Sequence, residues 1–367
     1  MIDEIVIIAP ELNAGHGGVG DYTARLSECL RGNGNFKFLV PRTALTSMPT
    51  DRVQQLAATP DAIVRQLPVF GGRILLQYSA YGFDRFGYPR TLIRALVDWK
   101  NKTRGRLVVM FHEIWTFWPV TNKNFPVQLF HRRAIKRLLR HVDVAFTSTA
   151  SQAGHLRTLS GSAQIHVLPV GSNILRGEPL DRPRQPGWAI VFGLQPARIR
   201  ALTRMQTSLR QLVVAKQIVK VIALGANPGS QLDEEERGLL VDLRLRDGFE
   251  QLGAQSEQAI SQMLATASFG VFGQDELSYA KSSIFMAYAA HELNVLADFA
   301  SASKPAPICW LVAPAELLKG ISPAELKERA QHLRNWQEQT SSWKLIATKF
   351  SEALELNAKE HVQIAGR

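Results

Sequence analysis

Three clusters along this chain pair residue types and spacings that suit an anionic ligand. The first is Gly15-His16-Gly17-Gly18-Val19-Gly20-Asp21-Tyr22, after the apolar run Ile5–Ala9 and before the helical spacing Tyr22, Leu26, Leu30. Strand, glycine loop and helix in that order bring backbone N–H groups and a positive helix end close to a ligand, because glycine allows positive φ and tight approach. Gly15, Gly17, Gly18 and Gly20 fit neither G-x-G-x-x-G nor a P-loop, and taken alone they suit a plain turn equally well. The second cluster, Lys281-Ser282-Ser283, opens a helical stretch and sets a cation, two hydroxyls and free N–H groups at one place, which suits a phosphate. A serine cap beside a solvated lysine is its other reading. The third is Arg198 and Arg200, just past a strand ending at Gly193, where a parallel sheet presents its binding loops. With Arg204 and Arg210 they also suit an exposed basic face.

Regular elements must position these residues, and the sequence shows their rhythm. Short apolar runs bounded by turn residues recur at Ile5–Ala9, Phe36–Val40, Ile74–Tyr78, Leu107–Phe111 and Val142–Thr147, with helical patterns between most of them. Strands alternating with helices predict an α/β protein with a doubly wound parallel sheet and ligands beyond the carboxyl ends of its strands. A polar stretch with three prolines, Gly177 to Gly187, then breaks the alternation. It restarts with strands at Trp188–Gly193, Val219–Gly225, Phe249–Gly253, Phe269–Phe272 and Pro307–Val312. The expected organisation is a first domain over 1–171, a linker over 172–187, a second domain over 188–340, and a closing helix with a tail over 341–367. Gln255 to Ala267 reads as a helix opening on Ser256 with Ile260, Met263 and Leu264 as its stripe. Trp343, Ile346, Ala347, Phe350 and Leu354 mark the amphipathic closing helix.

Length and composition narrow the setting. A chain of 367 residues with 46% apolar content suits two globular domains. Its acidic start and the absence of long apolar runs predict neither a signal peptide nor a membrane span. Cys29 and Cys309 have no Cys or His companions at metal spacing, so two reduced thiols and a cytoplasmic protein are expected. Of the net charge of +11, residues 1–170 carry +10, which points that half at something anionic or at simple solubility. Phe130 to His141 is a basic helix, with Phe130, Ala134, Ile135, Leu138 and Leu139 on one side, Arg132, Arg133, Lys136, Arg137 and Arg140 around it, and Trp115, Phe117 and Trp118 upstream. That combination suits an anionic membrane surface, or a solvated helix with a buried stripe. No nucleic-acid motif stands behind the basic half, and no nucleic-acid partner is expected.

Taken in order, several segments resemble the nucleotide-sugar glycosyltransferases of the B fold, in particular the large retaining group that includes many bacterial lipid and polysaccharide glycosyltransferases. Gly17-Gly18-Val19-Gly20-Asp21-Tyr22 is similar to that family's first-strand loop, and Phe111-His112-Glu113 to its strand-end histidine. Phe249 to Glu257 resembles its strand, Leu-Gly, Ser-Glu, helix segment, and Lys281 to Val295 the helix facing the donor phosphates. The resemblance implies two Rossmann-like domains facing a cleft, with a C-terminal helix crossing back to the first. It implies catalytic roles for His112, on a donor hydroxyl, and Lys281, on the leaving diphosphate. Gly17, Gly18, Arg198, Arg200, Glu276, Ser282 and Ser283 would bind the donor, and Asp21 and Tyr22 would face the acceptor, with helix capping as the other use of Asp21. Ser278 and Met286 stand where the family has paired glutamates, and Leu194 and Ile199 where it has Arg and Lys. The implied activity is transfer of a sugar from a nucleotide-sugar to a saccharide or lipid-linked acceptor, without a cofactor or metal, at the inner membrane face. The competing reading is a binding or regulatory protein on the same fold that has lost catalysis.

Overall fold

The structure is a computed structural model describing residues 4–12, 18–30, 35–41, 52–69, 71–115, 117–123, 125–160, 163–177, 183–226 and 230–356. The chain divides into two compact units, one formed by Met1–Pro169 with Trp343–Arg367 and the other by Val170–Ser342.

In the first unit, strands β1 (Glu4–Ile8), β2 (Asn35–Val40), β3 (Val53–Gln55), β4 (Arg73–Tyr78), β5 (Arg106–Phe111), β6 (Val144–Thr147) and β7 (Gln164–Val167) form one sheet. The order is β3-β2-β1-β4-β5-β6-β7 and every pairing is parallel. A parallel sheet is covered on both faces, so its central strands are apolar throughout. Ile5–Ile8, Ile74–Leu76 and Leu107–Phe111 are accordingly enclosed. The edge strands β3 and β7 are mostly exposed, so they lack the apolar run that marks the others in the sequence. Helix Trp343–Leu354 belongs to this unit and buries Trp343, Ile346, Ala347, Phe350 and Leu354. Arg73 and Arg106, which open β4 and β5, donate from Nε to the carbonyls of Leu354 (2.6 Å) and Ala353 (2.8 Å). Guanidinium groups there satisfy the last carbonyls of the helix and complement its negative end.

In the second unit, β8 (Gln185–Phe192), β9 (Lys220–Leu224), β10 (Phe249–Leu252), β11 (Ala267–Val271) and β12 (Asn294–Leu296) form a parallel sheet ordered β10-β9-β8-β11-β12. Strand β8 begins at Gln185, inside the stretch assigned to the linker, because Gln185 takes its place opposite Ala267 on β11. The expected strand Pro307–Val312 is corrected to a short 3-10 turn, Ile308–Trp310, with Val312 alone bridging Leu296. Pro305 and Pro307 cannot donate to a ladder, and the edge position falls to Asn294–Leu296. Helix Glu257–Thr266 is capped by Ser256, whose hydroxyl accepts from Ala259 N.

In each sheet the strand order reverses once, between β1 and β4 and between β8 and β11. Doubly wound sheets bind ligands beyond the carboxyl ends of their strands at that point.

Candidate functional site

In the first unit, the helix after β1 and the end of β5 bring two of the predicted residues, Tyr22 and His112, together. Helix Gly18–Leu30 follows β1, with Gly18 exposed at its start, Asp21 in its first turn, and Tyr22 buried. Gly17, with Gly15 and His16, lies outside the described residues. His112 follows β5 directly, its N–H donating to Tyr78 O at 3.0 Å and its carbonyl accepting from Gln152 Nε2 at 3.4 Å. Its ring meets Tyr22 edge to face at 5.0 Å, and Nε2 lies 2.7 Å from Gln77 Oε1. Tyr22 in turn packs on Trp343 at 5.2 Å.

Burial pushes the His112 pKa down to about 3, so the imidazole is neutral at physiological pH. It can exchange hydrogen bonds with hydroxyls but cannot offset phosphate charge. Burial likewise raises the Tyr22 pKa, so its phenol stays protonated. Tyr22 Oη, Gln77 Nε2 and Ser148 Oγ are buried with no hydrogen-bond partner among the described residues. Buried polar atoms are normally satisfied, and the two of these on Tyr22 and Gln77, whose side chains meet the His112 imidazole, suit a hydroxyl-rich ligand or ordered water. Gln77 was missed from the sequence; a polar residue inside Ile74-Leu-Leu-Gln-Tyr78 was its signal.

In the second unit, the loops after β8 and β11 frame the strand-order switch. Gly193 follows β8 directly at φ +123°, and a Cβ there would come within 2.4 Å of Ile284 Cδ1. The positive φ favours glycine there, and the Ile284 side chain of helix Ser283–Ala290 fills the space a Cβ would take. Tyr288 Oη anchors the same helix, accepting from Phe192 N at 2.8 Å. Ser282 caps it, its hydroxyl accepting from Phe285 N (3.3 Å) and lying 3.2 Å from Gln274 Nε2. Ser283 opens the helix, and the first-turn N–H groups of Ser283 and Ile284 lie outside the helical ladder. Lys281, immediately before the cap, is exposed and makes no ion pair among the described residues. Cation, hydroxyls and helix N-terminus therefore stand together at the carboxyl edge of β11. Glu276 opens the preceding 3-10 turn, and its carboxylate pairs with Lys304.

The expectation that Arg198 supplies a donor-binding cation is corrected. Its side chain is fully enclosed, with Nε 2.6 Å from Glu236 Oε1, Nη2 3.0 Å from Glu236 Oε2 and Nη1 donating to Gly193 O at 2.6 Å. Gln195 and Gln251 also donate to Glu236. Burial pushes the Glu236 carboxyl up, but the bonds from Arg198, Gln251 and Gln195 outweigh it and hold the pKa below the usual range. The guanidinium is spent inside the unit, tying helix Gln195–Val214 to the ends of β8 and β9. Arg200 is exposed on that helix.

Met286, at one of the positions where the resembled family has a glutamate, is fully enclosed and accepts from Ser341 Oγ through Sδ at 3.3 Å. Ser278, at the other, is half-buried in the 3-10 turn. In the basic helix Phe125–Leu139, Ala134, Ile135, Leu138 and Leu139 are buried with His131, while Phe130 is 50% exposed and leaves the predicted stripe. Arg132, Arg133, Lys136, Arg137 and Arg140 are exposed. Trp115 belongs to the core, packed on Phe117 and His155 with Arg132 over its ring. Among the described residues no helix is long and apolar enough to cross a membrane.

No protein-family model matches the sequence, and no curated protein matches it. Solved structures do share its fold. Sucrose-phosphate synthase from Thermosynechococcus elongatus is similar at a TM-score of 0.64, with 14% identity over 96% of this chain and 98% of that one. A glycosyltransferase from Rickettsia africae ESF-5 reaches 0.65, with 10% identity over 96% of this chain and 99% of that one. The pneumococcal O-GlcNAc transferase GtfA, in complex with UDP and GlcNAc, reaches 0.61, with 10% identity over 96% and 99%. These are glycosyltransferases of the B fold, and the likeness assigns that fold to the chain, as the sequence motifs imply.

Proposed function

We propose that this chain is a glycosyltransferase that moves a sugar from a nucleotide-activated donor to an acceptor hydroxyl. The observation that carries the reading is the grouping of Lys281, the Ser282 cap and the Ser283 helix start at the strand-order switch of the second sheet. Charge builds on the leaving diphosphate in the transition state, and a preorganised cation and N–H groups stabilise it. No Asp-x-Asp motif occurs in the sequence, and the proposed reaction uses no metal. In the first unit the neutral His112 takes a sugar hydroxyl, while Tyr22 and Asp21 face the acceptor. Arg200 remains a donor-side cation and Glu276 a hydroxyl acceptor on its unused lone pairs. In the retaining course, the anomeric carbon to phosphate bond breaks as the acceptor oxygen bonds the same face. The departing phosphate oxygen takes the acceptor's proton.

The finer reading is a lipid-linked or polysaccharide acceptor used by a cytoplasmic protein, with the exposed cations of helix Phe125–Leu139 against an anionic membrane. One structural neighbour is an alpha-glucosyltransferase in complex with UDP-glucose and DNA, so duplex DNA belongs in the acceptor panel. A second reading, a binding protein without catalysis, is favoured by the enclosed Met286 and by Ser278 at the glutamate positions.

The test is a thermal-shift screen of uridine, guanosine, adenosine and thymidine diphosphates and their sugars, followed by transfer and hydrolysis assays on the binders. Turnover that falls roughly a hundredfold or more in Lys281→Ala, with the fold intact, supports the enzyme. Binding without turnover selects the second reading, and unchanged turnover in Lys281→Ala removes that residue from the site.

A further inference from the structure

Gln77 is fully enclosed in the apolar strand β4. Burying an amide group without a partner is costly, and a leucine would avoid the cost. Gln77 nevertheless leaves Nε2 without a partner among the described residues, and its Oε1 is directed at His112 Nε2, 2.7 Å away. The backbone fixes this geometry. Gln77 pairs with Met110 and Tyr78 with Phe111 in the β4–β5 register, and the His112 N–H to Tyr78 O bond extends that ladder by one residue.

We propose that Gln77 is a positioning residue for His112: its side-chain carbonyl accepts the Nε2–H, holds the imidazole in that tautomer and leaves Nδ1 as a bare acceptor for a ligand hydroxyl. The role in turnover rests on the glycosyltransferase reading; the tautomer does not. Among the described residues no other side chain hydrogen-bonds the ring. Tyr22, from helix Gly18–Leu30, meets it through its ring. Glu113, next in the chain, is exposed and accepts from Ser79 Oγ at 3.4 Å. An amide is the partner that selects a tautomer without adding charge. A carboxylate in its place would hold the imidazole protonated.

The experiment uses the full chain with 15N-labelled histidine, read by long-range proton–nitrogen correlation, with His112 identified by the signals lost in His112→Ala. The wild type should show the Nε2–H tautomer alone and no protonation down to about pH 5, because desolvation lowers the imidazole pKa. Gln77→Leu should show a mixture of neutral tautomers. Gln77→Glu should show an imidazolium that persists to neutral pH. An Nδ1–H tautomer in the wild type would reverse the amide and overturn the assignment, as would a Gln77→Glu spectrum identical to the wild type.

With UDP-glucose as the donor probe, Gln77→Leu should lower kcat/KM by between about tenfold and a hundredfold, as expected for a misoriented contact. UDP affinity should be unchanged. Gln77→Glu should gain an alkaline-rising limb near neutral pH that the wild type lacks. Unaltered turnover and pH profile in both variants would overturn the role in catalysis. A wild type that binds UDP-glucose without turnover counts against glycosyl transfer, while the spectra still decide what Gln77 does to His112.

Discussion

Replacing Arg198 by methionine tests whether the buried guanidinium serves the fold or a ligand. The substitution keeps the aliphatic stem but removes the bonds to both oxygens of Glu236 and to Gly193 O, at 2.6, 3.0 and 2.6 Å. Glu236 would stay enclosed with only amide donors, Gln251 Nε2 at 2.8 Å and Gln195 Nε2 at 3.2 Å. Breaking a buried pair from one side costs about 3–5 kcal/mol, because the remaining charge is left uncompensated. For a unit of this size, about 4 kcal/mol corresponds to a fall in Tm of roughly 8–16 °C. Differential scanning calorimetry, with urea unfolding followed by fluorescence and circular dichroism, should resolve that fall. The double variant Arg198→Met with Glu236→Leu should recover at least half of it, since no lone charge remains. A stability loss under about 1 kcal/mol, with nucleotide affinity lost instead, would refute the reasoning and return Arg198 to the donor site.

Other perturbations read different parts of the molecule. His112→Ala should lower turnover of the donor sugar while leaving affinity for the nucleoside diphosphate within about threefold, as expected for a contact to sugar alone; isothermal titration with UDP checks the second half. His291 is enclosed between Ser261 Oγ at Nε2 and Ala287 O at Nδ1, and burial is the main cause that pushes its pKa down to about 4. The unfolded chain binds this proton near pH 6.5 and the folded one near 4, so stability is full above 6.5 and is lost as pH falls through that window. The loss is at most about 3 kcal/mol, and His291→Gln should flatten the acid limb of the urea midpoint profile. Vesicle co-sedimentation tests the basic helix: the chain should pellet with anionic lipid at low salt and remain in solution with neutral lipid. Replacing Arg132, Arg133, Lys136 and Arg137 by Gln should abolish pelleting, each charge contributing about 1 kcal/mol. Equal behaviour on both lipids would leave this helix a solvated face.

The repeating strand and helix pattern follows from residue types alone, because the covered central strands must be apolar while turn residues must punctuate them. Ile5–Ile8, Leu107–Phe111 and the stripe of helix Trp343–Leu354 were all legible for that reason. Edge elements were not: β3, β7 and β12 are short or exposed, each pairs with one strand only, and none carries the apolar run that full cover demands. At the candidate site the sequence marked His112 and Lys281-Ser282-Ser283, since each stands at the end or start of a recognisable element. What neighbours do to a charge or a proton depends on how the chain packs. Arg198 lies close to Arg200 in the sequence, yet one is enclosed on Glu236 and the other exposed, because a helix turns successive residues toward different surroundings. Gln77 and His112 are separated by two helices and a strand, and their bond exists because β4 and β5 pair in one particular register. Burial and partner are properties of the packed chain, and they set the charge that each residue type brings to its chemistry.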